Sequence, residues 1–116
     1  MHLRPNFTVK ELSCPCCGEC EMDNEFMDRL QDLREVCGFP FKVTSGYRCE
    51  KHNKEVSKKS KGQHSRGLAV DISIWDRYSR RILIDSDINY FRDIAIGDNF
   101  IHLGRGLDKK GLGIYV

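Results

Sequence analysis

No apolar run in these 116 residues approaches the ~20 needed to cross a bilayer, so nothing here reads as a membrane span. Residues 1–10 lack the apolar stretch of a secretory signal. The expectation is a chain that is cytoplasmic as made and reaches an outside target only by a route its own sequence does not encode. No internal repeat or low-complexity segment interrupts the chain. The net charge of +2 is too small to argue for a nucleic-acid partner by itself. What is present suits one compact soluble domain over residues 1–116: 40% apolar residues supply a core and 31% charged residues supply a surface.

The charge distribution says more than the sum. Between residues 51 and 66 stand Lys51, Lys54, Lys58, Lys59, Lys61 and Arg66, against a single Glu55. Such a run is ordinarily a solvated loop, but its positive field also suits an anionic substrate or surface.

Cysteine is abundant for this length. Cys14, Cys16, Cys17 and Cys20 lie within seven residues, with Cys37 and Cys49 further on. Without a secretory signal, disulfides are not the default. Cys14-x-x-Cys17 and Cys17-x-x-Cys20 both have zinc-knuckle spacing, yet a second, distant Cys-x-x-Cys pair is missing. A structural zinc at Cys14, Cys17 and Cys20, disulfides, and plain thiols all remain open. Cys37 or Cys49 completes a metal site only if the fold brings it close.

Thr8 caps a helical turn through Leu12, and the Cys-rich stretch with Pro15 and Gly18 reads as a loop. Asp23 caps a helix whose apolar stripe is Met22, Phe26, Leu30, Leu33 and Cys37, and Gly38 with Pro40 ends it. Residues 41–44 are β-prone, Ser45-Gly46 turns the chain, and residues 50–56 suit another helical turn. Residues 67–75 read as a buried strand, 76–84 as a helix, and 94–96, 99–103 and 112–116 as short strands. A helical first half before a strand-rich second half indicates α+β.

The strongest chemical signal is His64-Ser-Arg-Gly67-Leu-Ala69-Val-Asp71. Gly67 permits a tight entry to the strand, and Ala69 and Asp71 share one strand face. Small Ala69 leaves room for an ion beside Asp71. A second histidine, His102, sits in a neighbouring strand-like segment. Two imidazoles and a carboxylate give three-point zinc coordination with a fourth position open to water. The plainer alternatives are an Asp71 paired with Arg66 or a backbone amide, and a structural histidine.

The segment Gly62-Gln-His64-Ser-Arg-Gly67-Leu-Ala69-Val-Asp71 resembles the Ser/Gly-x-His-x-x-Gly-x-Ala-x-Asp signature of the zinc D-Ala-D-Ala carboxypeptidase family. That family includes phage L-alanyl-D-glutamate endopeptidases and shares its fold with the Hedgehog signalling domain. Thr44-Ser45-Gly46-Tyr47-Arg48-Cys49 resembles its Ser-Gly-Tyr-Arg segment, and Phe100-Ile101-His102-Leu103 its Phe-Ile/Val-His motif. The opening from Asn6 to Leu12 is similar to the small single-domain branch. The resemblance implies a Hedgehog/DD-peptidase-like α+β fold, with an antiparallel sheet carrying the site and helices packed on one face. It implies one catalytic zinc on His64, Asp71 and His102, and Arg48 at the substrate or oxyanion, with Ser45 and Tyr47 shaping the wall. His52 and His2 have no motif support and read as surface histidines.

One position departs from the pattern. Well-known members place an acid three residues before the last histidine, where this chain has Asn99; many carry Asp two residues after it, where this chain has Gly104. Asp98 is therefore the first candidate for general base, followed by Asp108 and Asp93. The implied activity is zinc-dependent hydrolysis next to D-residues in peptidoglycan stem peptides, by a monomer without nucleic-acid or membrane partners. Its setting would be the cell wall, reached after lysis or as part of a phage particle. The rivals are a catalytically impaired domain that binds wall peptides or a protein, and a zinc-knuckle nucleic-acid module. Low net charge and few aromatics among the lysines count against the last.

Overall fold

The computed structural model describes residues 1–57, 62–87 and 89–105. The expected strand at 112–116, Asp108, and Lys58, Lys59 and Lys61 of the basic run lie outside them.

Thr8 and Glu11 form a capping box at α1 (Val9–Leu12): the Thr8 hydroxyl accepts from Glu11 N, and the Glu11 carboxylate accepts from Thr8 N at 2.7 Å. Just before it, β1 (His2–Arg4) and β2 (Phe7–Thr8) make a small antiparallel pair that the sequence reading did not anticipate. The long helix α2 (Asn24–Cys37) starts where Asp23 accepts from Phe26 N at 2.9 Å and stops at Gly38, whose φ of 78° is left-handed. Phe26, Met27, Leu30, Leu33 and Cys37 form its buried stripe. Met22 lies before the helix and packs on the core from there.

The main sheet contains β3 (Lys42–Ser45), β4 (Ala69–Ser73), β5 (Asp93–Ile96) and β6 (Phe100–Gly104). Its order is β3-β4-β6-β5, antiparallel throughout. Strand alternation separates two faces. Val70, Ile72, Ile101 and Leu103 join the core with the α2 stripe and with Leu83 of α4 (Arg77–Asp87). Asp76 caps α4, accepting from Ser79 N at 2.7 Å. The opposite face carries Ala69, Asp71 and His102.

The α+β architecture is thus as expected, with one correction to the helix arrangement. Helices α2 and α4 contribute to the apolar face, but α3 (Glu50–Ser57) and the 3₁₀ turn His64–Arg66 do not. Asn53 and Ser57 of α3 line a cleft with His102 and Asp93, so this helix flanks the polar face. Its sequence fits that position: only Asn53 is buried.

Candidate metal centre

Strand register builds the centre. Asp71 and His102 are direct cross-strand partners, as are Ser45 and Asp71 on the other side. The His102 Nδ1 lies 2.9 Å from Asp71 Oδ1. His64 arrives from the 3₁₀ turn, which closes at Gly67 (φ 72°). A Cβ at Gly67 would run into the Glu21 carbonyl and come within 2.9 Å of Asp23 N. The turn therefore lies against the entry to α2, where Asp23 N donates to Gly67 O. This places His64 Nε2 3.4 Å from Asp71 Oδ1, with the two imidazoles 5.2 Å apart between ring centres.

Donor atoms around a tetrahedral zinc at about 2.0–2.1 Å stand roughly 3.3 Å apart, so these spacings suit one ion. One ligand atom from each of His64, Asp71 and His102 falls within a common 4.8 Å. The His64 ring supplies a second test. Its Nδ1 lies 2.8 Å from the Gly46 carbonyl, which requires a proton on that nitrogen. Its Nε2 is buried and lacks a hydrogen-bond partner. A lone pair oriented by a second-shell carbonyl and left unmatched is what a metal-ligating imidazole offers. Burial raises the Asp71 pKa, but the His102 hydrogen bond, together with the neighbouring His64 imidazole, outweighs it and holds the carboxyl well below its usual range. The group is therefore a carboxylate, the form a cation needs.

Arg48 is 8% exposed, with Nη2 3.8 Å from Asp71 Oδ2. Arg66, the alternative partner for Asp71, is exposed; the cation beside Asp71 is Arg48. Arg48 Nε is buried without a hydrogen-bond partner. Burial lowers its pKa, and the Asp71 charge opposes that. Arg48 lines two clefts that meet at the centre. One, of about 270 Å³, includes Ser45, Thr44, His52 and Asp71. The other, of about 230 Å³, includes Gln63, His64, Asp93 and His102. His52 thus lines a cleft despite having no motif support. Tyr47 gives its backbone N–H to the Leu12 carbonyl and is buried; burial first, then the charges of Glu21 and Glu19, raise its phenol. Ser45 therefore lies along the first of these clefts, whereas Tyr47 packs toward the N-terminal segment.

The acid candidates separate clearly. Asp98 is exposed at the β5–β6 turn, beyond Phe100, and its carbonyl accepts from Arg80 Nη1 at 3.2 Å. Two strand residues already span about 7 Å, so the turn is remote from His102. Asp93 has Oδ2 3.7 Å from His102 Nε2. It pairs in register with Gly104, where many relatives by resemblance carry Asp. Two further contributors carry no sequence signal of their role. Gln63 Oε1 lies 3.2 Å from His102 Nε2, yet position 63 is a free position of the motif. Gly46 acts through its carbonyl, which no side-chain pattern encodes.

The thiols regroup as well. Cys14, Cys17 and Cys49 converge, whereas Cys20 stands apart from them, half-buried beside Ser13. Of the alternatives the sequence left open, the Cys14, Cys17 and Cys20 set does not form, because Cys49 and not Cys20 reaches the knuckle, from the segment before α3.

A two-histidine, one-carboxylate donor set on an antiparallel sheet, beside clefts lined by a buried arginine, is a candidate site for one metal ion. The Peptidase M15 family model matches residues 5–104, nearly the whole described chain. The chain belongs to the Peptidase M15 family, whose members are zinc-dependent metallopeptidases. No curated protein and no solved structure matches it. Among the described residues no helix is long and apolar enough to cross a membrane.

Proposed function

We propose that this domain, of Hedgehog/DD-peptidase type, hydrolyses peptide bonds next to D-amino acids in peptidoglycan stem peptides. The observation that carries the reading is the convergence of His64, Asp71 and His102, with the His64 Nε2 buried and unmatched. Those three residues hold the metal. A bound zinc supplies Lewis acidity, polarising a carbonyl and acidifying water. Asp93 accepts the proton at Oδ2 as general base; its position opposite Gly104 replaces the acid missing from β6. The geometry thus favours Asp93 as general base over Asp98, which lies at the turn. Arg48 donates from its guanidinium to a substrate carboxylate or to the developing oxyanion. Ser45 and Thr44 border the peptide on one side, and Gln63 orients His102 on the other.

The test combines metal content with turnover on synthetic stem peptides. The catalytic zinc disappears in His64→Ala, and hydrolysis goes with it. Zinc retention in His64→Ala, or wild-type protein loaded with zinc that cleaves no D-residue peptide, would overturn the reading. Whether products arise from terminal or internal cleavage then assigns carboxypeptidase or endopeptidase action.

A further inference from the structure

We infer that Cys14, Cys17 and Cys49 form a second, structural zinc site, separate from the catalytic centre. Their three sulfurs lie within 4.8 Å of one another. The Cys14 and Cys49 sulfurs are 3.7 Å apart. A disulfide requires about 2.05 Å, whereas sulfurs sharing a tetrahedral zinc at about 2.3 Å stand about 3.8 Å apart. The spacing excludes a disulfide and matches ligands to a common ion; it is also bridged by a thiol hydrogen bond from Cys14 to Cys49. Cys16, between Cys14 and Cys17 in the chain, is the candidate for the fourth sulfur of a closed site.

The backbone is shaped for the same purpose. Cys16 N and Cys49 N both donate to Cys14 Sγ at 3.4 Å, and His52 N donates to Cys49 Sγ at 3.4 Å. Amide donors aimed at sulfur favour thiolates, the metal-binding form. Gly18, with φ 79°, turns the chain directly after Cys17 and donates to the Cys14 carbonyl at 2.8 Å. This tight Cys-x-x-Cys-Gly turn holds two sulfurs on one side. Soft thiolates select zinc over hard cations such as magnesium or calcium.

The ion would act as a brace. Cys14 and Cys49 are 35 residues apart, and the segment between Gly46 and Cys49 lies against Leu12. That segment carries Arg48 and the Gly46 carbonyl that orients His64, and Arg48 N donates to the His64 carbonyl at 3.2 Å. A clamp at Cys49 therefore fixes the arginine beside it and the second shell of the catalytic metal.

The test counts zinc per chain in protein purified with reductant and excess zinc. Wild type holds two, His64→Ala one, Cys49→Ser one, and the double variant none. Cys17→Ser, at an exposed position, repeats the loss should Cys49→Ser fail to fold. Cobalt loaded into His64→Ala gives sulfur-to-metal charge-transfer absorption that Cys17→Ser on the same background abolishes. A wild-type count of one that falls to zero in His64→Ala overturns this site and leaves the catalytic centre standing. A Cys14–Cys49 disulfide found by mass under native conditions, or two zincs retained in both cysteine variants, overturns it equally.

Discussion

At the scale of single residues, the informative position is a glycine. Gly104 stands where relatives by resemblance place a carboxylate, and its missing Cβ leaves room for the Gln63 side chain against His102. Asp93, paired with Gly104 across the hairpin, restores a carboxylate to the same neighbourhood from the adjacent strand. Asp93→Asn therefore lowers kcat by about 10²–10⁴-fold, the usual worth of a general base, while zinc content stays at the wild-type value. Steady-state kinetics with elemental analysis reads both. Adding Gly104→Asp to that variant returns an acid to the position on β6, since the flexible Gln63 can turn aside, and raises kcat about tenfold above Asp93→Asn. Full activity in Asp93→Asn would sink the assignment. Arg48→Ala lowers kcat/KM by about 10²–10³-fold, as expected of a lost oxyanion or carboxylate donor. The same variant should leave zinc bound, because Arg48 touches Asp71 from outside the donor set at 3.8 Å.

Among the elements, legibility followed local chemistry. Helix α2 was readable nearly to the residue because both of its ends are written in side chains, Asp23 and Gly38. The β1–β2 pair was not, since strands of three and two residues are too short to show alternation. The strand expected over 67–75 is trimmed to Ala69–Ser73, because Gly67 belongs to the left-handed end of the 3₁₀ turn. The three candidate ligands that the fold gathers, His64, Asp71 and His102, were marked in the sequence by spacing and resemblance. The register that sets Asp71 opposite His102, and the order that puts β5 next to β6, are long-range facts, so the sequence reading sets Asp93 behind Asp98, level with Asp108. The two left-handed glycines make a matched prediction at this scale. Gly38→Ala meets nothing within 4 Å and bears only the left-handed penalty, about 1–2 kcal/mol. Gly67→Ala adds a collision with the Glu21 carbonyl and the start of α2, for about 3–5 kcal/mol in all. Urea unfolding of both variants checks this; equal losses would mean that the turn does not press on α2 as described.

For the whole molecule, stability rests on one core, shared by the apolar sheet face, α2 and α4. Total stabilities of domains are only about 5–15 kcal/mol, so one misplaced buried charge is a sizeable fraction. Asp87, the last residue of α4, is such a charge: it is 3% exposed, and burial pushes its pKa up to about 6. Arg29, Arg92 and Arg105 line the same cavity of about 530 Å³, and Cys37 feels the Asp87 charge, yet burial dominates. An acid raised by folding is destabilising once ionised. Its contribution is fully favourable below the ordinary carboxyl value, near 3.8, and is lost as pH rises through about 6. At 1.36 kcal/mol per pH unit the loss amounts to at most about 3 kcal/mol, water entry and local relaxation reducing it. Asp87→Asn removes the ionisation while keeping the shape. The two proteins should therefore be equally stable to within a constant below pH 4, and the variant should gain on wild type between pH 4 and 6 and hold that gain above pH 7. The difference between their chemical-denaturation curves isolates Asp87, because every other group is common to both proteins. Curves that run parallel from pH 4 to 8 would show that Asp87 stays ionised at no cost, and that the cavity beside it is wetter than its burial implies.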